Sequence, residues 1–289
     1  MSSKDKDDVT GIDTTGHEWD GIKELNNPLP RWWLYTFYIT IIWAIGYTIA
    51  FPAWPLISEA TPGLLGYSSR AEVEKEISIA RAEQADLIQN VETLPFDQIR
   101  SDAATFSYAV SGGRAAFLVN CSQCHGSGAQ GSPGYPNLND DDWLWGGTVE
   151  DIYATLQHGI RYERDDDTRF SQMPAFGRDG ILDAEQVEQV AHYVVALSGG
   201  EHEASLAEAG KTVYDENCAA CHGEKGLGDQ SQGAPNLADP IALYGSGVRD
   251  IQRQVHAPQH GVMPAWNFRL QDATLKQLAI YVHSLGGGE

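Results

Sequence analysis

The sequence predicts an all-α chain: one N-terminal transmembrane helix, then two tandem helical domains. Three observations carry this: a 20-residue apolar stretch near the N-terminus, an internal repeat over the C-terminal part, and capped helices bounding each copy.

Composition sets the frame. The chain has 289 residues, 40 acidic and 19 basic side chains and a net charge of −21. The acid excess excludes a nucleic-acid footprint and argues against a surface that hugs anionic lipid. An apolar share of 42% excludes disorder of the whole chain, and four Cys are too few for a disulfide scaffold.

Residues 1–31 carry 7 acids against 4 bases and read as a cytoplasmic N-terminal segment. No charge falls between Arg31 and Glu59, and Trp32 to Phe51 is apolar on every face. Twenty residues at about 1.5 Å each reach about 30 Å, the hydrocarbon thickness of a bilayer. Trp32, Trp33 and Tyr35 at one end and Trp54 at the other form interfacial aromatic belts, and Pro52 and Pro55 end the helix. Residues 32–55 are therefore the transmembrane anchor. A cleaved signal peptide does not fit, since it opens on a short basic region.

Residues 56–108 form a linker. Within it, Tyr67 to Glu92 reads as one amphipathic helix, with Ser69 and Glu72 as a capping box, an apolar stripe through Val73, Ile77, Leu87 and Val91, and Pro95 beyond its end.

The rest is a repeat: residues 109–200 and 201–289, offset by 97 residues from Cys121 to Cys218. Each copy holds a short helix, a Cys-rich turn, the triplet Pro-Asn-Leu, Met-Pro-Ala-aromatic and a C-terminal helix. Asp183 with Gln186 marks the N-cap of one such helix, Asp272 the same place in the other, and Gly199 and Gly286 follow the ends.

All four Cys fall in Cys121-Ser-Gln-Cys124-His125 and Cys218-Ala-Ala-Cys221-His222. CxxCH is the attachment pattern of c-type haem: two thiols on one turn reach the two vinyl groups, and the next residue sets an imidazole on the iron. A redox dithiol or zinc site is the alternative for a lone CxxC, but here the His directly follows each pair. The two copies are thus class I cytochrome c-like domains, each with one covalent haem c. Apart from Met1, the methionines are Met173 and Met263, at equivalent repeat positions, 48 and 41 residues after their own His. They are the sixth ligands expected for His125 and His222 respectively; His/Met ligation raises the potential and suits electron transfer. His158, His192, His256 and His260 compete, but each lacks a counterpart in the other copy. A carbonyl of the triplets containing Pro136 and Pro235 is expected to accept the ring N–H of each ligand His. Trp143, Trp145 and Tyr162 are candidate contacts of the first haem, and Trp266 of the second.

ELNNPLPRWWLYTFYITIIWAIGYTIAFPAWP at residues 24–55 resembles the N-terminal anchor of subunit III of the cbb3-type cytochrome c oxidases, and SSRAEVEKEI and the two CxxCH copies with MPAF and MPAW extend the likeness over nearly the whole chain. The resemblance implies a non-catalytic dihaem relay with two His/Met haems. Electrons pass from a soluble or membrane-bound donor cytochrome c towards a monohaem cytochrome c subunit and the b-type haem/copper catalytic subunit, which reduces oxygen and pumps protons. A stand-alone anchored carrier and a dihaem peroxidase are the alternatives; the latter needs a displaceable distal ligand. Haem c is attached outside the cytoplasm, which puts the haem domains in the periplasm of a bacterial inner membrane.

Residues 59–289 carry 15 bases against 33 acids. Such a surface steers a basic donor, with Asp140–Asp142 and Asp165–Asp167 as candidate contacts, or it serves solubility or a salty habitat.

Overall fold

The computed structural model describes residues 5–288. It divides into two compact units, one up to Glu83 and one from Gln84 onward.

The first unit opens with an antiparallel ribbon, β1 (Thr14–Trp19) and β2 (Ile22–Leu25). Asp20 and Gly21 join the strands with φ of 52° and 84°. An Asp-Gly pair adopts two left-handed conformations in a row readily, and that turn matches strand twist. This ribbon is the departure from the all-α expectation. Helix α1 (Arg31–Ala50) then runs for 20 residues with no buried side chain. Its bounds lie within one residue of the apolar stretch Trp32–Phe51, and residues 51–55 follow as non-helical chain. Beyond Pro52 the chain folds back, and the N–H groups of Leu64 and Leu65 donate to the carbonyls of Ile49 and Ala50 at 2.9 and 3.0 Å. Last-turn carbonyls that the helix leaves open are thereby satisfied.

The single helix expected from Tyr67 to Glu92 is two. Helix α2 (Ser69–Glu83) breaks at Gln84, where α3 (Ala85–Thr93) starts as part of the second unit. The cap is Ser68 rather than Ser69: its hydroxyl accepts from the Ala71 N–H at 3.3 Å. All of α2 is exposed, Val73 and Ile77 included, whereas Val91 of α3 is fully buried.

The second unit continues with α4 (Phe96–Ser101), α5 (Ala103–Asn120), α6 (Ser122–His125), α7 (Val149–His158), α8 (Ala184–Leu197), α9 (Ala204–Asn217), α10 (Ala219–His222), α11 (Val248–His256) and α12 (Asp272–His283). It holds two hydrophobic cores, and each draws on both repeats. The first joins Ile99, Phe117, Cys121, Ile152 and Leu156 to Leu275, Leu278 and Val282 of α12. The second joins Val187, Val190 and Val194 of α8 to Val213, Tyr214, Cys218 and Val255. Thus α12 packs on α5 and α7, and α8 packs on α9 and α11. The C-terminal helices are thus exchanged between residues 109–200 and 201–289, each completing the core that holds the other repeat's CxxCH turn.

Two equivalent glycines permit the crossings. A Cβ on Gly113 of α5 would strike the Gln277 carbonyl and the Tyr281 side chain on α12. One on Gly210 of α9 would strike the Gln189 carbonyl on α8. Backbone lies on backbone there, which only glycine allows. Fully buried Phe117 and Leu278 then contribute about 1.5–3 kcal/mol each.

The cap of α8 is as expected: Asp183 accepts from the Gln186 N–H at 2.9 Å, and the Gln186 side chain accepts from the Asp183 N–H at 3.1 Å. In α12 the N-cap is Gln271, without a side-chain bond; Asp272 instead accepts from the Tyr153 hydroxyl on α7. Gly199 and Gly286 sit at φ of 73° and 104° past the two helix ends.

Candidate functional site

The two CxxCH turns are built alike. Helix α5 ends as Cys121 closes it, α6 makes a single turn, and Gly126 at φ 81° swings the chain away. Cys218, α10 and Gly223 at φ 76° repeat this. In each turn the first cysteine, Cys121 or Cys218, is buried against a core, and the second, Cys124 or Cys221, is exposed. None of the four is in a disulfide. Burial, with the neighbouring thiol as a smaller cause, pushes Cys121 and Cys218 up to about 11. A redox dithiol needs the opposite, a depressed thiol.

His125 Nδ1 lies 3.1 Å from the Pro136 carbonyl oxygen, and His222 Nδ1 lies 3.0 Å from that of Pro235. A carbonyl only accepts, so Nδ1 carries the proton and Nε2 keeps its lone pair. Burial holds both imidazoles below the ordinary value, with the carbonyl opposing it, and so keeps the rings neutral. The triplet loops are pinned for this role. Leu138 N–H donates to the Ala129 carbonyl at 2.8 Å, and Leu237 N–H donates to that of Gly226 at 2.6 Å.

The methionines do not sit where repeat order puts them. Met263 packs on the core that holds Cys121, and Met173 packs on the core that holds Cys218. Met263 pairs with Ile160, just past α7, and Trp266 N–H donates to the Leu156 carbonyl at 2.9 Å. On the other side, Arg178 N–H donates to the His256 carbonyl at the end of α11 at 2.9 Å, and Met173 N–H donates to His260 Nε2 at 3.1 Å. Each methionine thus lies on the core of the other repeat's CxxCH turn, because each methionine loop leads into the helix that is exchanged.

The aromatic expectations divide. Trp143 packs on the first core and donates its indole N–H to the Gly287 carbonyl. Trp266 packs on that same core, not on the second as expected. Trp145 and Tyr162 belong to neither core. The competing histidines are engaged otherwise: His158 bonds Asp165 at 3.1 Å, His192 Nδ1 accepts from the Glu203 N–H at 2.9 Å, His256 lies against Gly177, and His260 supports Met173. Asp165 is only 8% exposed and accepts from Asn267 Nδ2 at 3.1 Å as well, so it is no surface contact for a donor. Asp140, Asp141, Asp142 and Asp239 do gather, and burial, then Asp140, Asp239 and Asp141, lifts Asp142 to about 6.

Four free thiols in two turns, two imidazoles with an open Nε2, and one methionine on each core fit two haem c groups.

Comparison with known proteins agrees. The model of the N-terminal domain of cytochrome oxidase-cbb3, FixP, matches residues 11–58. Cytochrome c matches residues 110–198, and cytochrome c oxidase, cbb3-type, subunit III matches residues 205–282. The chain is 54% identical over 291 residues to the cbb3-type cytochrome c oxidase subunit FixP of Rhizobium meliloti (strain 1021), with 100% of both chains covered. It is 52% identical over 276 residues to subunit CcoP of Cereibacter sphaeroides, covering 96% of this chain and 95% of the relative. Against CcoP of Azospirillum brasilense it is 49% identical over 296 residues, with 100% of both covered.

Proposed function

The chain belongs to the family of cbb3-type cytochrome c oxidase subunit III, and from that premise we propose how its residues hold two haem c groups and pass electrons through them. It is a membrane-anchored dihaem electron-transfer subunit of the oxidase. Cys121 and Cys124 hold one haem through thioethers, and Cys218 and Cys221 hold the other. His125 and Met263 are the axial pair of the first, His222 and Met173 that of the second.

When bound, the haem iron supplies one-electron exchange. The protein does the rest. The Pro136 and Pro235 carbonyls orient the imidazoles and make them better ligands. A neutral thioether and an apolar core disfavour the extra positive charge of the oxidised iron and so raise the potential. Cys124 and Cys221 stay exposed, which keeps an edge of each site open to a partner. The donor is a cytochrome c, for which the acid excess of the chain favours a basic surface. The acceptors are the monohaem subunit and the b-type catalytic subunit, where oxygen is reduced. Helix α1 crosses the bacterial inner membrane with the N-terminus in the cytoplasm. The haem-bearing unit then lies in the periplasm, where haem c is attached.

The observation that carries the reading is the pair of equivalent His–Pro bonds, each beside a core that holds one methionine. The test is a reduced-minus-oxidised spectrum of the complex purified through this chain in mild detergent. Co-purified b-type haem with oxygen uptake supports it; c-type haem alone, whatever the detergent, refutes the oxidase assignment.

A further inference from the structure

Helix α1 ends at Ala50, and Pro52 prevents its continuation, yet the chain does not leave the helix there. It turns through a short lobe and comes back. The Thr61 N–H donates to the Trp54 carbonyl at 2.9 Å, and the Thr61 hydroxyl accepts from the Trp54 N–H at 3.1 Å. The Leu56 N–H closes the tip on the Glu59 carbonyl at 2.7 Å. Gly63, at φ 72°, then passes so close to the Ala50 carbonyl that a Cβ would strike it. Leu64 and Leu65 follow, bonded to the Ile49 and Ala50 carbonyls. The Tyr67 ring meets Phe51 edge-on at 5.6 Å, so the chain departs from the helix end only after residue 67.

This pairing fixes a depth. The 20 residues of α1, at about 1.5 Å each, cover the hydrocarbon core of a bilayer. Ile49 and Ala50 are the last two of them. Leu64 and Leu65 therefore stand level with the last turn, at the edge of the hydrocarbon rather than in the water beyond it. Their side chains are 83% and 66% exposed, and Trp54, Leu56 and Ile57 of the same lobe are exposed as well. Between Arg31 and Arg70 the sequence holds one charged side chain, Glu59. Chain at this depth has to satisfy its backbone from within, and the bonds of Trp54, Thr61, Leu64 and Leu65 do so.

The exposed leucines continue the surface of α1, which is apolar all round and has no buried side chain. Whatever solvates the last turn of the anchor also solvates them, and for a membrane anchor that is lipid. We propose that residues 54–65 form a re-entrant collar in the bilayer edge at the C-terminal end of α1, with Leu64 and Leu65 against lipid acyl chains. This rests on the reading of α1 as the membrane anchor. The stretch from residue 56 to 65 then belongs to the anchor and not to the linker, and the path towards the haem-bearing unit starts at Tyr67.

The experiment puts a nitroxide on Leu64→Cys or Leu65→Cys in the purified complex, reconstituted into phosphatidylethanolamine–phosphatidylglycerol vesicles. Its relaxation is read with oxygen, which concentrates in lipid, and with a water-soluble nickel chelate. Ile39→Cys, in the middle of α1, checks the anchor, and the unaltered complex treated alike gives the background. We expect oxygen to relax both leucine-site labels and the chelate effect seen on free label to be lost. A label open to the chelate puts the loop in water and overturns the proposal. A label shielded from both reagents puts it under another subunit and overturns the choice of lipid. If one variant does not assemble, the other decides alone. An Ile39 label open to the chelate would instead show that the anchor reading itself fails, and the collar falls with it.

Discussion

Ile160 and Met263, from different repeats, exchange both backbone hydrogen bonds: Ile160 N–H donates to the Met263 carbonyl at 2.9 Å, and Met263 N–H donates to the Ile160 carbonyl at 3.1 Å. Gly159 makes this possible. At φ 68° it lies so close to the Met263 carbonyl and the Ala265 nitrogen that a Cβ would collide with both. The methionine of the second repeat is thereby fastened beside the end of α7 in the first.

Crossed ligation has a direct test. In a chain limited to the first haem by Cys218→Ala and Cys221→Ala, Met263→Leu should abolish the low-spin, Met-ligated spectrum and lower the potential, and Met173→Leu should leave both unchanged. The reverse pattern would restore pairing within the repeats.

Gly113→Ala should destabilise the holoprotein by about 1–3 kcal/mol, since the colliding Gln277 carbonyl is backbone and cannot yield. Gly112→Ala next to it meets only the end of the Gln277 side chain and should cost far less. Thermal melts of the two variants make the comparison, and equal midpoints would mean that the crossing is loose.

Asp142 gives a pH dependence of known sign. Burial, and then the neighbouring Asp140, Asp239 and Asp141, pushes its carboxyl up to about 6 in the folded protein, against about 4 in the unfolded chain. The folded state holds this proton more tightly, so stability falls as pH rises from about 4 to 6, and the penalty persists above. Asp142→Asn should raise the melting temperature at pH 7.5 and leave it unchanged at pH 4. Because the group is partly exposed, the gain should stay under about 2 kcal/mol. A gain at pH 4 as well would assign the effect to packing.

The two acidic clusters should behave differently. Asp165→Ala leaves His158 and Asn267 without their acceptor and should cost about 1–3 kcal/mol of stability. Reduction by a basic cytochrome, followed by stopped flow, should keep its rate in that variant. Asp141→Lys on the exposed cluster should slow the reaction at low ionic strength, with the difference vanishing in salt. If Asp141→Lys has no effect at any ionic strength, the cluster does not guide the donor.

Much of this chain is legible in one dimension because its chemistry is local. CxxCH places two thiols and an imidazole on one turn, and an apolar run of bilayer length needs nothing distant to define it. The Asp183–Gln186 box joins neighbours three residues apart. The recurrence of the triplets at similar distances is enough to expect a loop carbonyl near His125 and near His222. The ribbon at Thr14–Leu25 was signalled by Asp20-Gly21, and the break at Gln84 by no residue that forbids a helix.

What the sequence by itself determined is therefore the anchor helix, the two CxxCH turns and the family. Which core each methionine packs on was decided only in three dimensions. The two C-terminal helices are both apolar along one side, and both N-terminal helices offer a glycine, Gly113 or Gly210, to receive one. Either pairing satisfies the pattern of the sequence. The choice between them rests on close packing between residues far apart in the chain, such as Gln277 on Gly113 and Met263 on Ile160, and periodicity along a single chain carries no record of such contacts.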